Sequence, residues 1–171
     1  LLLKLSGRLP SDFVEMTNLA TVTFNMSITG LILLGYVMIN GGQLNGPIVG
    51  SIIGAMSFGA FGNQVKNTVP VLVGIMIGCY LTGVDAASTS ALVAAIFGTT
   101  LAPVSGYYGP LAGVIAGFVH ITLVSHVVVM HGGLNLYNNG FAGGFVAAVL
   151  VPIFEIFEGI RQDIKERKAE G

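Results

Sequence analysis

Side chains able to do chemistry are scarce in this sequence, and they cluster. The densest group is His131-Gly132-Gly133-Leu134-Asn135-Leu136-Tyr137-Asn138-Asn139-Gly140-Phe141-Ala142-Gly143-Gly144, with three asparagines, a tyrosine and a histidine among five glycines. It lies between two strongly apolar runs. Non-helical backbone at membrane depth is tolerated only where it is buried in protein or lines a wet cavity. A lining rich in amides and without net charge suits a small neutral or zwitterionic solute better than an ion. The plainer alternative is a polar extracellular loop. His131, Tyr137, Asn138 and Asn139 are the solute-contacting candidates of this stretch.

Thr23-Phe24-Asn25-Met26-Ser27-Ile28-Thr29-Gly30 is similar in kind, and Asn25 and Ser27 join the candidate lining. These polar residues are either covered by neighbouring helices or form a loop that leads into a helix. Three further groups are candidates for a proton or ion site: Asp85, His120 and His126. An ionisable group inside a membrane is a functional candidate by default. The two histidines are six residues apart, about 240° around a helix, so they share no face and lack metal-pair spacing. They read equally as neutral side chains bonded to a neighbouring helix, and Asp85 reads as an N-cap before Ala86-Ala87-Ser88. Lys66, among Asn63, Gln64 and Asn67, is an inside-loop charge.

Several chemistries are excluded or unsupported. There is no phosphate-binding G-x-x-x-x-G-K-[ST], no H-E-x-x-H and no G-x-S-x-G. His126 or His131 could act as a base, but no nucleophile accompanies either, so the expectation is a non-enzyme without cofactor or metal. Cys79 stands alone, which rules out an internal disulfide or a thiolate zinc site. No basic patch could track nucleic-acid phosphates.

The elements that must position these residues follow from composition. The chain has 171 residues, 53% hydrophobic and 9% charged, against about 25% charged in ordinary soluble domains. Between Met16 and Phe154 only Lys66 and Asp85 carry formal charge. A surface of that kind wants lipid. A spanning helix needs roughly 20 mostly apolar residues, and six segments come near it: Thr17–Asn40, Leu44–Gly62, Val69–Val84, Ala86–Leu101, Tyr107–Met130 and Phe141–Phe157. Ala86–Leu101 is the shortest, and Pro152 interrupts the last. Gly41–Gln43, Asn63–Thr68, Ala102–Gly106 and Gly132–Gly140 carry the turn residues between them. The apolar runs are too continuous for a membrane β-barrel.

The expected fold is therefore all-α: an integral membrane bundle of about six transmembrane or re-entrant helices. Residues 1–171 form a single membrane domain, read as the downstream half of a longer parent. Residues 158–171 form a cytoplasmic amphipathic tail. Basic residues near the ends of the spans place both termini on the cytoplasmic side of the cell membrane. If Ala86–Leu101 were only a re-entrant hairpin, the ends would fall on opposite sides.

The 25 glycines have a pattern. Gly46, Gly50 and Gly54, then Gly74 and Gly78, then Gly109, Gly113 and Gly117 recur four apart, the spacing that lets helices lie close together in lipid. That packing can be within the chain, against a missing half, or in a homo-oligomer. Gly46-Pro47-Ile48-Val49-Gly50-Ser51-Ile52-Ile53-Gly54 matches Gly109-Pro110-Leu111-Ala112-Gly113-Val114-Ile115-Ala116-Gly117 in the frame G-P-x-x-G-x-I-x-G, an internal repeat. Asn25–Gly30 against Asn135–Gly140 is a looser pair.

Gly132–Pro152, G-G-L-N-L-Y-N-N-G-F-A-G-G-F-V-A-A-V-L-V-P, resembles the downstream half of a bacterial multi-pass membrane family of unknown function with a duplicated region. Asn25-Met26-Ser27-Ile28-Thr29-Gly30-Leu31-Ile32-Leu33 and Gly133-Leu134-Asn135-Leu136-Tyr137-Asn138 are also similar to the N-P-x-S-G-L-x-x-L and G-L-x-G-Y-N stretches of urea transporters. Met26 replaces the proline there, Leu136 replaces a glycine, and the two elements lie much further apart. That likeness carries over to Asn25, Gly30, Gly133, Tyr137 and Asn138, and implies a path for a small uncharged polar molecule. The function expected is a transporter or channel component for such a solute. The rivals are a non-transporting assembly or scaffold subunit and a membrane-embedded enzyme.

Overall fold

A computed structural model describes residue 4, residues 12–130 and residues 138–169. The fold is a helical membrane bundle, and no strand occurs among the described residues. In chain order the helices are α1 (Phe13–Met16), α2 (Leu19–Ile39), α3 (Gly46–Met56), α4 (Val65–Thr82), α5 (Thr89–Gly98), α6 (Ala102–Tyr108), α7 (Pro110–Met130) and α8 (Asn138–Ala169). A 3-10 turn, Ser57–Ala60, extends α3, and another, Thr99–Leu101, joins α5 to α6. Large apolar side chains cover the outside: Ile39 is 80% exposed, Tyr80 86% and Leu111 72%. In water such a surface would aggregate; in hydrocarbon it is the expected one.

Among the described residues five helices are long and apolar enough to cross a membrane: Leu19–Ile39, Val65–Thr82, Thr89–Tyr108, the α7 helix and α8. The short member is not the one expected. Ala86–Leu101 belongs to a 20-residue span, Thr89–Tyr108, because Ala102–Gly106 is helical and the chain turns instead at Gly109, whose φ is +96°. Pro103 sits in the first turn of α6, where its missing N–H costs nothing. The sequence segment Leu44–Gly62 is the one that shrinks, to Gly46–Ala60. At 1.5 Å per residue that arm reaches about 22 Å, less than the roughly 30 Å hydrocarbon core.

One other expectation is corrected. Pro152 does not break the last helix; α8 runs through it for 32 residues. Of the two readings open for the first segment, the structure has a continuous helix and no leading loop. Asn18 caps it by accepting from Thr21 N–H (2.9 Å). Its polar opening is made compatible with lipid by internal bonds: Thr23, Ser27 and Thr29 each donate to the carbonyl four residues back at 2.9 Å. These three hydroxyls are satisfied without water.

The core runs through Leu33, Val37, Ile48, Ile75, Leu92 and Ile121. Its tightest seam joins α4 to α7. A Cβ on Gly74 would strike the Val114 carbonyl, and one on Gly117 the Val71 carbonyl, so backbone meets backbone from both sides. The glycines of the repeat thus split in role. Gly113 and Gly117 are packed, whereas Gly46 and Gly50 have nothing within 4 Å of an added Cβ.

Candidate functional site

Three helices begin around one cavity of about 710 Å³. Pro47 brings the start of α3, Thr89 and Ser90 the start of α5, and Asn138 and Asn139 the start of α8. Ile121, Val124 and Ser125 of α7 form the wall. A helix start presents unpaired N–H groups and the positive end of the peptide dipoles. Caps take part of that supply: Asn45 accepts from Ile48 N–H (3.1 Å) and Ser88 from Ala91 N–H (3.3 Å). Asn45 also donates from Nδ2 to Thr89 Oγ1 at 2.8 Å, which holds the starts of α3 and α5 side by side. Among the described residues the cavity lining carries hydroxyls and amides and no charge. Asn138 is buried, and the Asn139 Oδ1 atom is buried without a hydrogen-bond partner among the described residues. That oxygen can accept from a ligand N–H or O–H.

The predicted residues divide. Asn138 and Asn139 line the cavity together. Asn25 does not join them: its Nδ2 donates to the carbonyls of Gly59 and Asn63, both at 2.7 Å. Asn63 in turn donates from Nδ2 to the Thr99 carbonyl at 2.9 Å. Thr99 lies one α5 length, about 15 Å, from Thr89 at the cavity, so Asn25 belongs to a separate polar brace. Ser27 is exposed on the outside of α2. His131 and Tyr137 lie outside the described residues, as does the first half of the looser Asn135–Gly140 copy.

Asn63–Thr68 was expected to be a loop; α4 instead starts at Val65 and its first turn is built into the brace. Gln64 N–H donates to Asn67 Oδ1, and Asn67 Nδ2 to the Gly62 carbonyl, each at 2.9 Å. Lys66 is exposed at that end. Asp85 is not the helix cap: Ser88 is, while Asp85 accepts from Ala87 N–H (3.0 Å) in the exposed turn before it.

His120 stands behind the cavity wall. Its Nε2 lies 3.2 Å from the Ala94 carbonyl, which can only accept, so the proton sits on Nε2. Its ring lies against Gly98, where an added Cβ would be 2.8 Å from Cδ2. His126 is exposed, with Nδ1 2.8 Å from the Thr122 carbonyl of its own helix. The two do not meet. Among the described residues no three His, Cys, Asp or Glu side chains come together as a metal site.

A family model described as a protein of unknown function, DUF1576, matches residues 1–156. The chain belongs to this family. The DUF1576 match takes in every cavity-lining residue and the whole asparagine brace, and stops short of the amphipathic end of α8. It agrees, as an uncharacterised family, with the likeness drawn at Gly132–Pro152. No curated protein and no solved structure matches the chain.

Sequence reasoning missed Thr89, Ser90 and Ser125 as lining, since isolated hydroxyls near apolar runs carry no pattern. It also missed Asn63 as a structural hub. The signal for that was four amides and threonines within six residues, read there as a turn.

Proposed function

We propose that this chain is a non-enzymatic component of a transporter or channel for a small, uncharged or zwitterionic polar solute in the cell membrane. The observation that carries the reading is the cavity where α3, α5 and α8 begin, lined by Asn138, Asn139, Thr89, Ser90 and Ser125 without a formal charge. Helix starts that converge on one site direct their N–H groups and dipoles at it, which suits a polar solute. Both termini lie on the cytoplasmic side in this reading, provided the short Gly46–Ala60 arm crosses. The test is flux of urea, glycerol and formamide into vesicles that carry the protein. At least one solute should pass faster than through empty vesicles. Asn139→Leu should slow it on the order of tenfold, the worth of one lost buried hydrogen bond. Absence of flux for all three, or an unchanged rate in the variant, overturns the assignment.

A scaffold reading has one observation in its favour: the exposed Gly46, Gly50 face of α3 has no neighbour within 4 Å of an added Cβ among the described residues. It predicts no flux and loss of assembly in Gly50→Leu.

A further inference from the structure

A second hollow, with a lining that shares no residue with the solute cavity, runs further along the same helices. It holds about 480 Å³ between α8 and the α5–α6 span. Its floor on α8 is Gly140, Gly143, Gly144, Ala147 and Val151, small side chains at helical spacing that end at Glu155. Its far wall ends in Tyr107 and Tyr108. From Gly140 to Glu155 the helix rises about 22 Å. That is most of the roughly 30 Å hydrocarbon core, so an acyl chain can lie along it.

The two ends of this slot differ in chemistry. The deep end is open and nearly apolar: its one hydroxyl, Thr100, donates to the Phe97 carbonyl (2.9 Å), and no described atom lies within 4 Å of an added Cβ on Gly140 or Gly144. The outer end gathers three aromatic rings and a carboxylate. Tyr107 and Tyr108 stand edge to face with centroids 4.6 Å apart, and Phe154 lies 5.4 Å from Tyr108. The Tyr108 hydroxyl donates to Glu155 Oε1 over 3.4 Å, a long bond that leaves most of the carboxylate's accepting capacity free. Tyrosines at the end of a span sit at headgroup level. Aromatic faces and an anion there attract an ammonium group.

We infer that the groove between α8 and the α5–α6 span binds a phospholipid with a primary ammonium headgroup, its amine at Glu155 and Tyr108 and one acyl chain along Gly144 and Gly140. A primary ammonium is favoured over a quaternary one because its N–H groups can donate to the carboxylate. An anionic headgroup is repelled by Glu155.

The test reconstitutes the full chain in vesicles of equal parts phosphatidylethanolamine, phosphatidylcholine and phosphatidylglycerol, then counts lipids retained on gentle detergent release by native mass spectrometry. The expected order is ethanolamine, choline, glycerol, with the first enriched over the last roughly tenfold, the equivalent of about 1.4 kcal/mol. Glu155→Gln should abolish the preference while lipid is still retained. Gly144→Leu, whose side chain enters open space, should fold and lose the retained lipid. Equal retention of the three lipids by the unaltered chain overturns the proposal. So does Gly144→Leu breaking an oligomer with its lipid count unchanged, which would assign the groove to a protein partner.

Discussion

The Asn63 side-chain amide donates to the Thr99 carbonyl, and the Asn63 backbone carbonyl accepts from Asn25. One residue thereby ties the turn after α3 to the 3-10 break between α5 and α6, and both to α2. The irregular backbone left where helices stop must be satisfied inside the protein, since lipid offers nothing to bond with. Asn25→Leu keeps the volume and strips the two carbonyls of their donor. It should destabilise the bundle by about 1–3 kcal/mol, read as a lower midpoint of unfolding in detergent. Because Asn25 is remote from the cavity, solute selectivity should not change; a changed selectivity would count against this separation of brace and cavity.

The α4–α7 seam gives a sharper contrast. Gly74→Ala and Gly117→Ala each drive a methyl into a backbone carbonyl, which has no rotamer to move into. Each should cost about 1–3 kcal/mol from overpacking. Gly50→Ala, facing open space in the sister stripe, should be neutral or gain up to about 1 kcal/mol in helix propensity. The three variants, compared by thermal melting in one detergent, would refute the seam if they behaved alike.

The histidines should also part company. His120 is buried against Gly98, and His120→Ala opens a cavity that should cost about 2–5 kcal/mol. His126 is exposed and, among the described residues, bonded within α7, so His126→Ala should stay within about 0.5 kcal/mol. Equal losses in the two melting curves would mean that α7 is rotated relative to its described position.

The placement of α4 is testable by chemistry from outside. Lys66 and Asp85 are exposed at its opposite ends, and the native Cys79 is buried. In sealed vesicles, Lys66→Cys and Asp85→Cys should react with a membrane-impermeant maleimide from opposite faces, with little background from Cys79. Labelling from the same face would remove α4 from the set of spans.

Most of the architecture was legible in the sequence because lipid imposes one rule: long uncharged apolar runs must be helices. Leu19–Ile39 and Pro110–Met130 follow from that rule almost residue for residue. What failed were boundaries set by tertiary contacts. Ala102–Gly106 contains the residues of a turn, yet Pro103 in the first turn of a new helix lets the span continue to Tyr108. The brace was invisible because Asn25 and Asn63 meet only after α2 and α3 fold back on each other. The cavity was half legible. Asn138 and Asn139 announced themselves by density, while Thr89, Ser90 and Ser125 come from elements that topology alone brings near.

The last helix has a mechanical meaning. Its 32 residues measure about 48 Å, well beyond the roughly 30 Å of hydrocarbon. Asn139 stands in its first turn and Arg161 and Lys165 beyond its midpoint, on one unbroken rod. The charged end and the amides that wall the cavity are thus parts of one continuous helix, and Pro152 between them, lacking the N–H that would bond four residues back, is the weakest point of that rod.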